Sequence, residues 1–91
     1  MSEEEREKYT GILASNLPTL RKARRLSQSQ LADIVGVARS TIAVIESRRE
    51  MTWSFFLAVI NVFTCHEETR KYMEILGIDL EKIQGFLAGS I

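Results

Sequence analysis

Apolar residues recur at three- and four-residue intervals along most of the chain. Leu13, Leu17, Leu20 and Ala23 predict a first helix. Pro18 falls inside that run. A proline within a helix removes a hydrogen bond, so it predicts either a kink or the first turn of a restarted helix, with Asn16 placed to cap the restart. Upstream, Glu3 to Glu7 reads either as a short helical start or as a disordered tail.

Ser27-Gln28-Ser29-Gln30 is a capping-box pattern, in which the serine hydroxyl accepts from the Gln30 N–H and the Gln30 side chain reaches back. It predicts a helix from Gln28 to about Val35 that buries Leu31, Ile34 and Val35. Gly36 is the natural exit, since glycine tolerates the left-handed conformation. Only Val37 and Ala38 precede the next periodic run, Ile42 to Ile45, so the two helices must turn sharply. Thr52 predicts the cap of a helix from Trp53 to about Phe63, with Phe56, Leu57, Val59, Ile60 and Phe63 inward. A further helix is predicted from Glu67 to Leu76, ended by Gly77, and Asp79 can cap a short last one through Leu87. Nothing alternates as a strand would. The expectation is an all-α, compact bundle of about five helices. Residues 1–10 would be an N-terminal extension, 13–63 the core of a single domain, and 67–91 a C-terminal helical segment.

Composition narrows the classes. Ninety-one residues with 45% apolar and 26% charged positions suit one small globular domain. Such a domain buries only about 60–65% of the surface its unfolded chain exposes. One cysteine, Cys65, rules out an intramolecular disulfide. The start Ser2-Glu3-Glu4-Glu5-Arg6-Glu7 is unlike a signal peptide, and the longest apolar stretch, Phe55 to Phe63, is too short for a membrane span. These features predict a cytoplasmic protein with no membrane association.

The formal net charge is zero, but it is unevenly distributed. Residues 9–49 carry seven basic groups against two acidic ones, hence +5, while residues 50–91 carry three against six, hence −3. Local field steers a polyanion to a surface, so the middle segment is either an anion-binding face or a set of solvated helix faces. Catalytic chemistry has no support. Cys65 and His66 are adjacent, so they can neither supply a zinc site nor align as a nucleophile and base. No phosphate loop or nucleophile elbow occurs. The chain is therefore expected to be no enzyme, with no metal and no cofactor.

The residues Leu20-Arg21, then Leu26-Ser27-Gln28, Gln30-Leu31-Ala32, Gly36-Val37-Ala38, Ser40-Thr41-Ile42 and Ile45-Glu46 resemble the lambda repressor/Cro-like helix-turn-helix family, also called the XRE type. The likeness spans about Leu13 to Phe63. It implies a bacterial- or phage-type DNA-binding transcriptional regulator, with 13–63 as its DNA-binding core. The recognition helix would run from Arg39 to about Ser47 and enter the major groove of double-stranded DNA. The resemblance places Arg39, Ser40 and Val44 at base-contacting positions. Arg39 could bridge guanine O6 and N7, or touch only phosphate, and Val44 could meet a thymine methyl. Phosphate contacts are implied for Gln28, Thr41, Ser47, Arg48 and Arg49, and a structural ion pair for Arg21 with Glu46.

Three departures stand out. Arg25 occupies a position where the family often has glycine, so a left-handed residue there would cost about 1 kcal/mol. Ala38 replaces the usual hydroxyl cap of the recognition helix. The Gly and Pro common after Glu46 are missing from Ser47-Arg48-Arg49-Glu50.

The C-terminal segment carries Tyr72, Met73, Ile75, Leu76, Ile78, Leu80, Ile83, Phe86, Leu87 and Ile91. Either these complete the monomer's own core or they form a homodimer interface, and Trp53 with Phe55 and Phe56 is open to the same two readings. Two functions follow: an operator-binding homodimer, or a protein-interaction module or antitoxin-like protein, with a toxin as partner, on the same fold.

Overall fold

The computed structural model describes residues 1–89, and within them the chain forms six helices and no strand. They are α1 (Glu3–Ala23), α2 (Gln28–Val35), α3 (Arg39–Arg48), α4 (Trp53–Thr64), α5 (Glu67–Ile75) and α6 (Leu80–Leu87). The class is all-α, with six helices in place of about five. Ile91, counted above among the apolar C-terminal residues, lies outside the described residues.

Helix α1 is longer than the apolar spacing alone predicts. Ser2 caps it through a capping box with Glu5, and Glu3, Glu4 and Glu5 sit at the positive end of its dipole. Residues 3–10 are thus part of α1, with Tyr9 in the core, and are neither a separate short start nor a tail. The helix runs unbroken through Pro18. Asn16 caps no restart: its Nδ2 donates to the Ile12 carbonyl at 2.8 Å.

One core joins all the helices. Leu13, Leu17 and Leu20 of α1 meet Leu31, Ile42, Phe56, Val59 and Phe63, all of them fully buried. Each such side chain contributes about 1.5–3 kcal/mol by leaving water. Ile34 departs from expectation, being 56% exposed, and Val35 is half-buried. The reason is angular. Leu31, Ala32 and Val35 share one arc of α2, and Ile34 falls roughly 110° from the centre of that arc at 3.6 residues per turn.

The C-terminal segment completes this core. Met73, Ile78 and Ile83 are buried in it, while Tyr72 and Leu80 pack partly against it. Thr69, also buried, donates its hydroxyl to the Phe63 carbonyl and so fixes the α4–α5 corner. Gly77 leaves α5 at φ +102°, with the Ile78 N–H reaching back to the Met73 carbonyl. Helix α6 is capped by Asp79 and tied to α1 by a Lys82–Glu5 ion pair. Trp53 stacks on Phe56 at 4.9 Å and meets Phe86 edge-on at 5.8 Å, so it bridges α4 and α6 within the monomer. Of this segment's large apolar side chains, Ile75 and Leu87 remain well exposed.

Candidate nucleic-acid interface

The turn between α2 and α3 is set by Gly36. Its φ is +82°, and both its own N–H and that of Val37 return to the Ala32 carbonyl, at 2.8 and 3.0 Å. Ala32 is buried at the crossing, where a larger side chain would push the helices apart.

Helix α3 is anchored by Ile42 and Ile45, which point into the core. At about 100° per residue the opposite face carries Ala43, Ser47, Ser40 and Val44, with Arg39 at its edge. Arg39, Ser40, Val44 and Ser47 are exposed, and Ala43 is half-buried. Val44 is 48% exposed, an apolar side chain left in water on a polar face. Among the described residues Arg39 makes no ion pair or hydrogen bond and keeps its guanidinium free. Thr41 lies exposed on the flank of the same helix. Ala38 begins α3 in extended conformation and supplies no side-chain cap.

Ser47, Arg48 and Arg49 follow on the exposed end of α3. Arg49 is left-handed, φ +56°, and its N–H caps the Ile45 carbonyl at 2.8 Å. An arginine thus takes the left-handed position after α3. Arg25 does the same at the end of α1, also at φ +56°. There the Leu26 N–H bonds the Arg21 carbonyl and the Arg25 N–H that of Lys22, which is the Schellman pattern.

Arg21 and Glu46 lock the first and third helices together. Arg21 Nε is 2.8 Å from Glu46 Oε2 and an Nη is 3.1 Å from Oε1. Its other Nη donates to the Leu26 carbonyl at 2.9 Å. The two side chains are only 10% and 9% exposed. Burial alone would raise the Glu46 carboxyl. Hydrogen bonds from Arg21 and Gln28, with the charges of Arg21 and Lys22, overcome it and hold the group below the ordinary carboxylate value.

Gln28 is not a freely exposed residue. Its Nε2 donates to Glu46 Oε1 at 3.1 Å, which orients the amide and leaves its second N–H for another acceptor. The capping box around Ser27 satisfies Gln30. The N–H groups of Gln28 and Ser29 have no partner among the described residues, and such helix starts favour anions. The spacing could not reveal the Gln28–Glu46 link, because nothing in an 18-residue separation says which side chains meet.

Cys65 and His66 are exposed, and Cys65 Sγ lies 3.5 Å from an Nη of Arg24. Among the described residues no three His, Cys, Asp or Glu side chains gather as metal ligands would, and no helix is long and apolar enough to cross a membrane.

The site thus offers one free guanidinium, a hydroxyl and an apolar side chain on one helix face, flanked by amide donors and cations. That set suits base edges in a groove and the phosphates beside it. A family model described as helix-turn-helix matches residues 19–52, the stretch that holds the end of α1, all of α2 and α3, and the turn beyond. No match to a curated protein or to a solved structure was found. Residues 19–52 of this chain are a helix-turn-helix of the XRE type, the lambda repressor/Cro-like family of DNA-binding domains.

Proposed function

We propose that the protein is a sequence-specific transcriptional regulator that occupies an operator as a homodimer, with α3 in the major groove. The observation that carries this reading is the outward face of α3. Arg39, Ser40 and Val44 stand exposed together, and no acidic residue lies between 34 and 45 to repel phosphate. Arg39 and Ser40 would read bases and Val44 a thymine methyl. Gln28, Thr41, Ser47, Arg48 and Arg49 would hold the phosphates on either side. Arg21 and Glu46 keep α3 in place. Such regulators work in the cytoplasm, on chromosomal or phage DNA.

For the homodimer, the supporting feature is on α5. Ile75 is 81% exposed beside a shallow, mostly apolar hollow lined by Thr19, Ala23 and Tyr72. A two-fold interface uses the same patch on both copies, and a projecting residue next to its own hollow meets that requirement. The acidic balance of residues 50–91 favours the second reading, a protein-interaction module or an antitoxin-like protein that binds a toxin.

The test is selection of bound sequences from a random duplex pool, with Arg39→Ala in parallel. Enrichment of a palindrome, weakened by the substitution, supports the operator reading and reports the half-site spacing. No enrichment at low or moderate salt favours the protein partner instead.

A further inference from the structure

We infer that Arg25, outside the helices of the motif, is a further phosphate-binding residue of the DNA face. The inference rests on the DNA-binding reading above and extends it to a residue that the family resemblance leaves without a role.

The backbone at this position calls for glycine. Arg25 is the left-handed residue of a Schellman turn, where a Cβ is disfavoured. The chain uses glycine at the comparable exits of α2 and α5, Gly36 and Gly77, at φ +82° and +102°. Conformation therefore does not explain an arginine here.

Internal contacts do not explain it either. The neighbouring Arg24 is committed to the fold, since it donates to the Val62 carbonyl at the end of α4 and lies against Cys65. Arg25 is exposed, and among the described residues its side chain has no hydrogen bond and no ion pair. One arginine of the pair is structural and the other is left in solvent.

Its location supplies the reason. Leu26, the next residue, is held by Arg21, which grips Glu46, which in turn orients Gln28. Arg25 thus stands two residues before Ser27, the cap of α2, whose Gln28 and Ser29 N–H groups have no partner among the described residues. A guanidinium there adds a flexible cation to a helix start already suited to a phosphate. Arg49 repeats the device at the end of α3: a left-handed arginine, exposed, three residues after Glu46. The competing explanation is that a cation near the carboxyl end of α1 merely complements its dipole.

The two explanations separate in one experiment. Wild type, Arg25→Gly and Arg25→Lys are titrated onto a fluorescein-labelled duplex of about 30 base pairs across a series of NaCl concentrations, and each is melted. Counterion release predicts that Arg25→Gly loses affinity roughly eightfold per protomer at 0.1 M salt, and that its salt slope falls by about 0.9 per protomer. Its Tm should hold or rise, because glycine relieves the left-handed position. Arg25→Lys should keep the slope. An unchanged slope in Arg25→Gly overturns the inference, and a lowered Tm beside it assigns Arg25 to the helix end alone. A wild-type chain that binds no duplex at any salt removes the DNA reading itself, and this inference with it.

Discussion

Gln28 and Glu46 meet across the helix-turn-helix, the amide Nε2 of one 3.1 Å from the Oε1 of the other. Glu46 is already held by Arg21, so a charge pair buried between α1 and α3 also sets the side chain that begins α2. Removing one partner strands the other. Glu46→Ala would leave the Arg21 guanidinium buried without its counter-charge and release Gln28. The expected loss is about 3–5 kcal/mol in urea unfolding. The double variant Arg21→Met with Glu46→Leu should recover much of that stability, since a well-packed apolar pair removes both charges together. Equal losses in the single and double variants would show that the pair stabilises by its net attraction.

The same carboxylate should make stability depend on acid. The Glu46 value is lowered in the fold from an ordinary 4.5, so its contribution is complete above 4.5 and is lost as pH falls through the lower folded value. Glu5, held by Lys82 and by the Ser2 cap, is lowered from 4.5 to about 2 and acts in the same direction, although it is only half-buried and solvent screens it. Lys82 is raised above 10.5 by Glu5, so its share is present below 10.5 and disappears above the folded value. Tm should therefore decline as pH drops below about 4.5. Glu46→Gln should flatten that decline while lowering Tm at neutral pH. An unaltered acid limb would assign the effect to other carboxylates.

Helix α3 lacks a side-chain cap, because Ala38 has no hydroxyl to offer its first turn, where the Thr41 N–H turns to the Ala38 carbonyl at 3.0 Å. Ala38 already has the extended backbone of a cap residue, φ −72° and ψ 149°. Ala38→Ser should thus add about 1 kcal/mol, read as a higher urea midpoint at an unchanged slope. No gain would mean that the N–H groups are as well served by water.

Much of this was legible from the sequence, because local chemistry dictates it. Ser27 and Gln30 wrote the capping box, Gly36 the exit of α2, Thr52 and Asp79 the caps of α4 and α6. The 3–4 spacing of Leu13, Leu17 and Leu20 wrote the buried face of α1. What failed was decided by distant packing. Pro18 reads as a kink or as the first turn of a restarted helix, and the core contacts of Leu13, Leu17 and Leu20 on both sides carry one helix through it. Ile34 reads as core, yet an eight-residue helix can turn only one arc inward. The C-terminal apolar residues read alike in the sequence, yet Met73, Ile78 and Ile83 complete the core while Ile75 and Leu87 stay exposed, a division set by how α5 and α6 pack. The candidate site was readable as a motif, but its internal wiring, Gln28 to Glu46 and Arg24 to Val62, depends on how the helices cross.

Pro18 offers its own measurement. It sits mid-helix without an N–H to give the Ala14 carbonyl, and a proline interior to a helix is about 3 kcal/mol worse than alanine. Pro18→Ala should raise stability by about 1–3 kcal/mol, the lower figure allowing for the extra freedom the unfolded chain gains. A lower Tm in the variant would mean that α1 needs the packing the ring provides.

The exposed arginines of α3 should divide by what they touch. Arg39 lies on the outward face in the first turn, where a docked helix brings side chains to base edges. Arg48 lies at the far end, where a docked helix would leave the groove. Arg39→Ala is expected to cost about 1–3 kcal/mol on the preferred duplex and to relax the preference at one base pair of each half-site. Arg48→Ala should weaken binding to all duplexes alike and reduce the salt slope by about one per protomer. Binding to the selected site and to a shuffled one, each across a salt series, distinguishes the two. If Arg39→Ala weakened both duplexes equally, Arg39 would be a phosphate contact, and base reading on this face would have to come from Ser40 and Val44.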